Sequence, residues 1–170
     1  MKQPYLIRPL LTEEQGQLRL FLLNAVYQKP GSPPLDPSLA ELPMLSQYWK
    51  DFSRPGDHCL VAEHGSLLVG AVWTRLLPQG YGHVADDIPE LSISVLGEHR
   101  NQGLGTLLIR AMLQTLSESG YRNVSLSVQK ENPACSLYTR LGFVLVREDG
   151  DDYIMMHALE PCTQRAVGVG

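Results

Sequence analysis

Arg100, Gly103 and Gly105 stand in the spacing Arg-x-x-Gly-x-Gly, inside the stretch Gly97-Glu98-His99-Arg100-Asn101-Gln102-Gly103-Leu104-Gly105-Thr106. Glycine has no Cβ, so a ligand oxygen can come close to the main chain at Gly103 and Gly105. If a helix starts here, its first N–H groups have no acceptor within the helix, and its dipole puts roughly half a positive charge at that end. Arg100 adds a side-chain cation. These residue types at this spacing make an anion site, and a pyrophosphate is its natural guest. Two familiar phosphate loops are excluded. No Gly-Lys-Ser/Thr follows, as a Walker loop needs, and a dinucleotide GxGxxG fails because Leu108 stands at the third glycine position.

The flanking residues position this loop. Before it, Leu91, Ile93 and Val95 alternate with Ser92 and Ser94, the period of a strand over about residues 90–96. After it, Leu104, Leu107, Leu108 and Ala111 recur at helical spacing, which predicts a helix over about 103–119 stopped by Gly120. A strand therefore feeds the loop and the loop feeds a helix N-terminus.

The rest of the chain is read around that unit. Tyr5–Pro9 is a short strand. Thr12 is expected to cap a helix running to about Tyr27, with Glu13 and Glu14 in its first turn. Residues 28–37 hold four prolines and a glycine and break regular structure. A second helix is expected over about 38–52, interrupted or restarted at Pro43. Its aromatics Tyr48, Trp49 and Phe52 read as core and lid packing, with pocket lining as the alternative. His58–Glu63 and Leu67–Leu76 form a hairpin about Gly65-Ser66. Residues 78–89 are a loop. Arg122–Gln129 is a strand with Val124, Leu126 and Val128 on one face and Ser125, Ser127 and Gln129 on the other. A short helix spans Pro133–Leu141, and Phe143–Arg147 pairs with Tyr153–Leu159. The order β-α-α-β-β-β-α-β-α-β-β is an α/β (α+β) domain with a mixed sheet, antiparallel in its first half.

At 170 residues, 44% of them hydrophobic, one domain over residues 1–160 is expected, with a tail at 161–170. The net charge is −4 and no basic run occurs, which argues against nucleic acid as a partner. No apolar run is long enough for a membrane span, and the N-terminus has no basic-then-apolar leader. Cys59, Cys135 and Cys162 are odd in number and lack metal-ligand spacing, so no metal is expected and a reduced, cytoplasmic setting fits. Cys135 has no activating base in view and reads as packing.

A second motif widens the argument. Asn132-Pro-Ala134-Cys-Ser-Leu-Tyr138-Thr-Arg-Leu-Gly142-Phe143 follows the strand that ends at Gln129. Together with Arg100–Gly105, and at that separation, it resembles the cofactor segments of the GCN5-related N-acetyltransferases (GNAT). The resemblance covers roughly residues 5–159. One departure is Leu96-Gly97, where many relatives carry Pro after the strand.

The resemblance implies a GNAT-like acyl-CoA N-acyltransferase fold, with about seven strands and about four helices. It also implies direct transfer from acetyl-CoA to a primary amine, without an acyl-enzyme. The pyrophosphate is expected on the N–H groups of Gln102, Gly103, Leu104, Gly105 and Thr106, next to Arg100 and Asn101. The pantetheine arm is expected along Ile93, Ser94 and Val95, where that strand splays from Ser127–Gln129, with Asn132 and Ala134 on its other side. The Val95 N–H is the expected donor to the thioester oxygen, and Tyr138 the expected acid for the leaving thiolate. Glu90 is the expected base; the alternative is an exposed carboxylate beside Pro89. Asp86 and Asp87 would attract a cationic amine, or belong to a solvated loop. His83 is a further candidate base, and His99 a loop residue. Three readings stay open: transfer to a small amine, amino acid or peptide amine; transfer to a protein lysine or N-terminus; and a non-catalytic acyl-CoA sensor. A homodimer is possible in such proteins.

Overall fold

The structure is a computed structural model that describes residues 4–162. The strands are β1 Leu6–Pro9, β2 His58–His64, β3 Leu67–Arg75, β4 Glu90–Val95, β5 Asn123–Gln129, β6 Val144–Asp149 and β7 Asp152–Ala158. They form one sheet in the order β1-β2-β3-β4-β5-β7-β6. The helices are α1 Leu18–Ala25, α2 Pro43–Ser46, α3 Leu104–Glu118 and α4 Ala134–Arg140. Every neighbouring pair of strands is antiparallel except β4 with β5. The mixed sheet and the element order match the expectation. Of the expected tail, residues 163–170 lie outside the described residues. No helix among the described residues is long and apolar enough to cross a membrane.

The two faces of the sheet are covered unequally. On one face Leu104, Leu108, Ile109, Met112 and Leu116 of α3 pack on Val72, Leu91, Val124, Leu126 and Val128. Each of those α3 residues is at most 1% exposed, so this face holds the main core. On the other face Leu18, Phe21 and Leu22 of α1 pack on Val61, Ala71 and Trp73. α1 is only 8 residues long, and its Asn24 reaches no further across the sheet than Ser94 of β4. Beyond it, on β5 and β7, the same face carries Ser125, Ser127, Gln129 and Asp152, which hydrophobic burial alone does not favour there.

Two expected helices are shorter than their sequence patterns. Thr12–Gln17 is a tight 3-10 turn, and the α-helix begins only at Leu18. Thr12 is not the cap. The Leu11 N–H donates to the Glu14 carboxylate at 2.9 Å, and that carboxylate is held by the Arg8 guanidinium at 2.6 Å. The expected helix over 38–52 breaks into a 3-10 turn, Pro37–Glu41, and the four-residue α2. Pro43 holds Leu42 extended (ψ 138°), which restarts the chain. Further on, Arg75 competes with helix hydrogen bonding. Its guanidinium donates to the carbonyls of Gln47 (2.9 Å), Lys50 (2.7 Å) and Asp51 (3.0 Å) and pairs with Asp57. The segment becomes a set of turns, with Asp51 and Ser53 at positive φ, and it presents Tyr48 to the sheet.

Candidate functional site

β4 and β5 pair at one position only, Glu90 opposite Ser125, where the Ser125 N–H donates to the Pro89 carbonyl at 3.0 Å. Past that point they separate. On its other edge β4 stays paired with β3, and the Leu96 N–H donates to the Val69 carbonyl at 2.9 Å. Antiparallel pairs alternate between bonded and non-bonded positions. The N–H groups of Leu96, Ser94 and Ser92 therefore face β3, and those of Val95 and Ile93 face the opening. The Val95 carbonyl also turns there, and it accepts from Arg100 Nε at 2.8 Å and Asn24 Nδ2 at 3.2 Å. These side chains take a position that a paired β5 would otherwise fill.

The opening widens into a cleft of about 1060 Å³ that runs down to the start of α3. There the chain turns through a 3-10 turn at Gly97–His99, then through Asn101 (φ 57°) and Gly103 (φ 80°). This turn occupies the Leu96-Gly97 departure. The φ at Gly103 strains any residue with a Cβ, which is the local reason for glycine. The first helical hydrogen bond runs from the Leu107 N–H to the Gly103 carbonyl at 3.1 Å. The N–H groups of Gln102, Gly103, Leu104, Gly105 and Thr106 find no acceptor among the described residues. Leu104 buries its side chain in the core and so fixes the helix end. A Cβ on Gly103 would meet nothing within 4 Å, so the loop is open on that side. The Arg100 side chain folds back onto Val95, with Nη2 at 3.4 Å from Asn24 Oδ1. Tyr5 braces the loop from behind, its hydroxyl 3.0 Å from His99 Nδ1 and 3.2 Å from Gln102 Oε1.

The second motif forms the opposite wall. Asn132 Oδ1 accepts from the Ala134 N–H at 2.9 Å and starts α4. Tyr138 is buried on α4 against Phe143, and its hydroxyl makes no hydrogen bond among the described residues. Burial pushes its phenol above the ordinary tyrosine value. Cys135 places Sγ 3.4 Å from the Gln129 carbonyl, and burial pushes its thiol up, which suits packing.

A second cavity of about 370 Å³ opens from the same cleft; Ile93, Asn132 and Tyr138 line both. It lies on the polar face of the sheet beyond α1, where Gly82 of the 78–89 loop comes down on β5 at Leu126 and Ser127. Glu90, Ser127, Gln129 and Asp152 contribute to its floor, and Tyr48 and Tyr81 to its wall. Glu90 is 4% exposed, so it is not the exposed carboxylate of the alternative reading. Its Oε1 accepts from the Tyr48 hydroxyl at 2.7 Å and the Gly82 N–H at 2.9 Å. Its Oε2 is buried and has no partner among the described residues. Burial raises the Glu90 carboxyl above the usual value, while the Tyr48 hydroxyl and Gly82 N–H hold it partly down. Two glycines make room for it. A Cβ on Gly80 would lie 2.0 Å from Oε2, and one on Gly82 3.0 Å from Cδ.

The neighbouring acids do not join Glu90. Asp86 and Asp87 are exposed, and Asp86 pairs with His83 at 2.9 Å. Neither they nor His83 line the cavity. Sequence reasoning missed Tyr81, Asp152, Ser127 and Gln129 as lining residues and placed Tyr48 in packing, where it both packs and lines. One signal was present: Ser125-x-Ser127-x-Gln129 is a polar row on a strand with neighbours on both sides.

Comparison with known proteins gives the family. The model of the acetyltransferase (GNAT) family matches residues 23–143. A mycothiol acetyltransferase of Pseudarthrobacter chlorophenolicus is 32% identical over 108 residues, covering 62% of this chain and 33% of that protein. An N-alpha-acetyltransferase of Sulfurisphaera tokodaii is 36% identical over 113 residues, covering 58% of this chain and 66% of that protein. The chain spans about a third of the length of the mycothiol acetyltransferases it matches. Among solved structures, the PaiA N-acetyltransferase of Thermoplasma acidophilum in complex with coenzyme A superposes with a TM-score of 0.68 at 20% identity, covering 91% of this chain and 99% of that one. That likeness shows the fold. With the family model matching most of its length, this chain belongs to the acetyltransferase (GNAT) family.

Proposed function

We propose that this chain, over one domain of residues 1–160, is an acetyl-CoA-dependent N-acetyltransferase that acetylates a primary amine by direct attack in a ternary complex. The observation that carries the reading is the opening between β4 and β5. It exposes the Ile93 and Val95 N–H groups along one line and ends on five free N–H groups at a helix start. That is a track for an extended amide-bearing arm with a phosphate seat at its end, and the residues fit coenzyme A.

Each part of the site has one job. The N–H groups of Gln102 to Thr106 seat the pyrophosphate with the helix dipole behind them, and Asn101 and Gly103 shape the turn. Arg100 holds the Val95 carbonyl and adds positive charge beside the seat. Ile93, Ser94 and Val95 on one side, and Asn132 and Ala134 on the other, line the arm. When bound, acetyl-CoA supplies an acyl thioester, already activated toward an amine. The Val95 N–H donates to the carbonyl oxygen as charge builds there, and one such donor is worth about 3 kcal/mol. Glu90, at the opposite end of β4 from Val95, receives the proton of the attacking amine through water. Its raised pKa brings it nearer the working pH of a base. Tyr138 returns a proton to the leaving sulfur. Its raised pKa keeps that proton in place through neutral pH and lowers the driving force for giving it up, so its share is the smaller one.

The relatives are named for different acceptors, mycothiol in one case and an α-amine in another, so the acceptor is read from the cavity. The test is thermal denaturation with acetyl-CoA, coenzyme A and NAD. Acetyl-CoA and coenzyme A are expected to raise Tm, with about 2.7 kcal/mol of stabilisation at a hundredfold excess over Kd, and NAD to leave it unchanged. No shift with acetyl-CoA would remove the phosphate seat and the catalytic reading with it.

A further inference from the structure

We propose that Arg100 selects the donor: its guanidinium covers the Val95 carbonyl, an acceptor that the donor arm needs, and only a donor that carries phosphate draws it away. The inference rests on the acetyltransferase reading above and concerns how the donor cleft tells acetyl-CoA from thioesters without phosphate.

The Val95 carbonyl is fully used. A carbonyl oxygen has two lone pairs. One accepts from Arg100 Nε at 2.8 Å and the other from Asn24 Nδ2 at 3.2 Å. The guanidinium is held at a second point, with Nη2 3.4 Å from Asn24 Oδ1. Asn24 is itself fixed, because its Nδ2 also donates to the hydroxyl of buried Ser94 at 2.6 Å. Val95 is the last residue of β4, next to the loop that seats the phosphates. An extended arm with amide groups pairs with a strand edge by donating to its carbonyls as well as by accepting from its N–H groups. Along this edge the N–H groups of Ile93 and Val95 are open, and the carbonyl nearest the seat is shut.

The group that shuts it can move. Arg100 is exposed, and among the described residues no carboxylate pairs with it. Both of its partners are neutral oxygens. Arg100 lines the same cleft as Gly103, Leu104, Gly105 and Thr106, whose N–H groups belong to the seat. A diphosphate there offers the guanidinium an opposite charge and a two-pronged contact, which a neutral carbonyl does not. When Arg100 turns to it, Asn24 keeps one lone pair of the Val95 carbonyl and the other is free for an amide N–H of the arm. A thioester with the same arm and no phosphate has to break the Arg100 bond without that compensation. The preference is thus built from an obstacle as well as an attraction.

The experiment measures dissociation constants for coenzyme A and for pantetheine, the same arm without phosphates. Calorimetric titration of the full chain and of its Arg100→Ala variant needs no acceptor. The wild type is expected to bind coenzyme A far more tightly than pantetheine. Arg100→Ala is expected to move the two in opposite directions. Coenzyme A should weaken by about tenfold or more and pantetheine tighten by about tenfold, the range of a hydrogen bond to a charged group. Arg100→Met keeps an apolar stem and loses the donors; it should repeat both shifts, and it serves if the alanine variant is unstable. Pantetheine affinity unchanged in the variants would overturn the proposal and leave Arg100 as charge at the seat alone. Pantetheine affinity weakened in them would overturn it as well, since Arg100 would then be a brace of the loop. A wild-type chain that binds neither coenzyme A nor pantetheine would instead sink the underlying acetyltransferase reading.

Discussion

The cleft between β4 and β5 and the cavity beside it share Ile93, Asn132 and Tyr138, yet they are built on different principles. The cleft offers main chain: N–H groups at Val95 and Ile93 and five more from Gln102 to Thr106. Its side chains set shape rather than contact, as when Leu104 buries itself or Gly103 takes a left-handed φ. The cavity offers side chains, drawn from α1, α2 and the turns after it, the 78–89 loop, β4, β5, α4 and β7. A main-chain site accepts any ligand of the right geometry and tolerates most substitutions outside its glycines. A side-chain site can be retuned one residue at a time. The division suits an enzyme that keeps its donor and varies its acceptor.

The sharpest way to break the comparison is to block the main-chain half with a side chain. Gly105→Arg places a long side chain over the free N–H groups. A Cβ at Gly105 meets only Leu137 Cδ2, at 3.4 Å, so the helix itself is not strained. The expected result is loss of the acetyl-CoA thermal shift and of activity, with Tm of the ligand-free protein within a few degrees of wild type. A variant that still binds acetyl-CoA would move the phosphate seat elsewhere.

Glu90→Gln tests the side-chain half. It keeps an oxygen for Tyr48 and Gly82 and removes the base. A fall in kcat of about a hundredfold is expected, with the acetyl-CoA shift retained. Stability should move the other way. The Glu90 carboxyl has a folded pKa above its unfolded value because burial disfavours its charge. Its contribution to stability is therefore full below the ordinary carboxylate range and is lost as pH rises through the raised value. At neutral pH the variant is expected to melt higher than wild type, by about 2–4 °C if the relief is about 1 kcal/mol. The gap should close as pH falls below the ordinary carboxylate range. A variant that loses activity and melts lower at neutral pH would make Glu90 a structural acid.

Tyr138→Phe has a smaller expected effect. Removing the hydroxyl should lower kcat about tenfold and leave acetyl-CoA affinity unchanged, since the hydroxyl makes no protein hydrogen bond among the described residues. Because burial raises the phenol above its ordinary value, the wild type should show no alkaline fall in rate through the ordinary tyrosine range. An unchanged kcat in the variant would leave the thiolate to be protonated by water.

The same contrast explains what the sequence made legible. The cradle is six consecutive residues between a strand and a helix, and each has a local reason: a glycine at positive φ, an apolar anchor at Leu104, a cation at Arg100. Local signals survive in one dimension, so the fold and the donor half could be read. Glu90 could be named as the first residue of β4, but its burial could not. That depends on Gly80 and Gly82 making room and on Tyr48 arriving from a segment whose helical pattern Arg75 breaks up. Asp152 could not be named at all. Its meaning comes from lying opposite Gln129 across β5 and β7 and from α1 stopping short of it. Residues brought together from so many segments leave no spacing to recognise.

Tyr48→Phe gives the finest test, because it leaves every charged group in place. The Tyr48 hydroxyl donates to Glu90 Oε1 at 2.7 Å and accepts the Tyr81 N–H at 2.8 Å. The first bond favours the carboxylate and opposes the effect of burial. Without it the Glu90 pKa should rise further, so the acidic limb of kcat/KM should move to higher pH. At low pH the variant is then slower than wild type because less of its base is ionised. As pH rises past both values the two rates should converge. A constant ratio across the whole pH range would instead mean that Tyr48 touches the acceptor itself. The second bond adds a stability effect without pH dependence, about 1–3 kcal/mol for a Tyr81 N–H left without its acceptor. The pH profile thus separates a hydroxyl that tunes the base from one that binds the substrate.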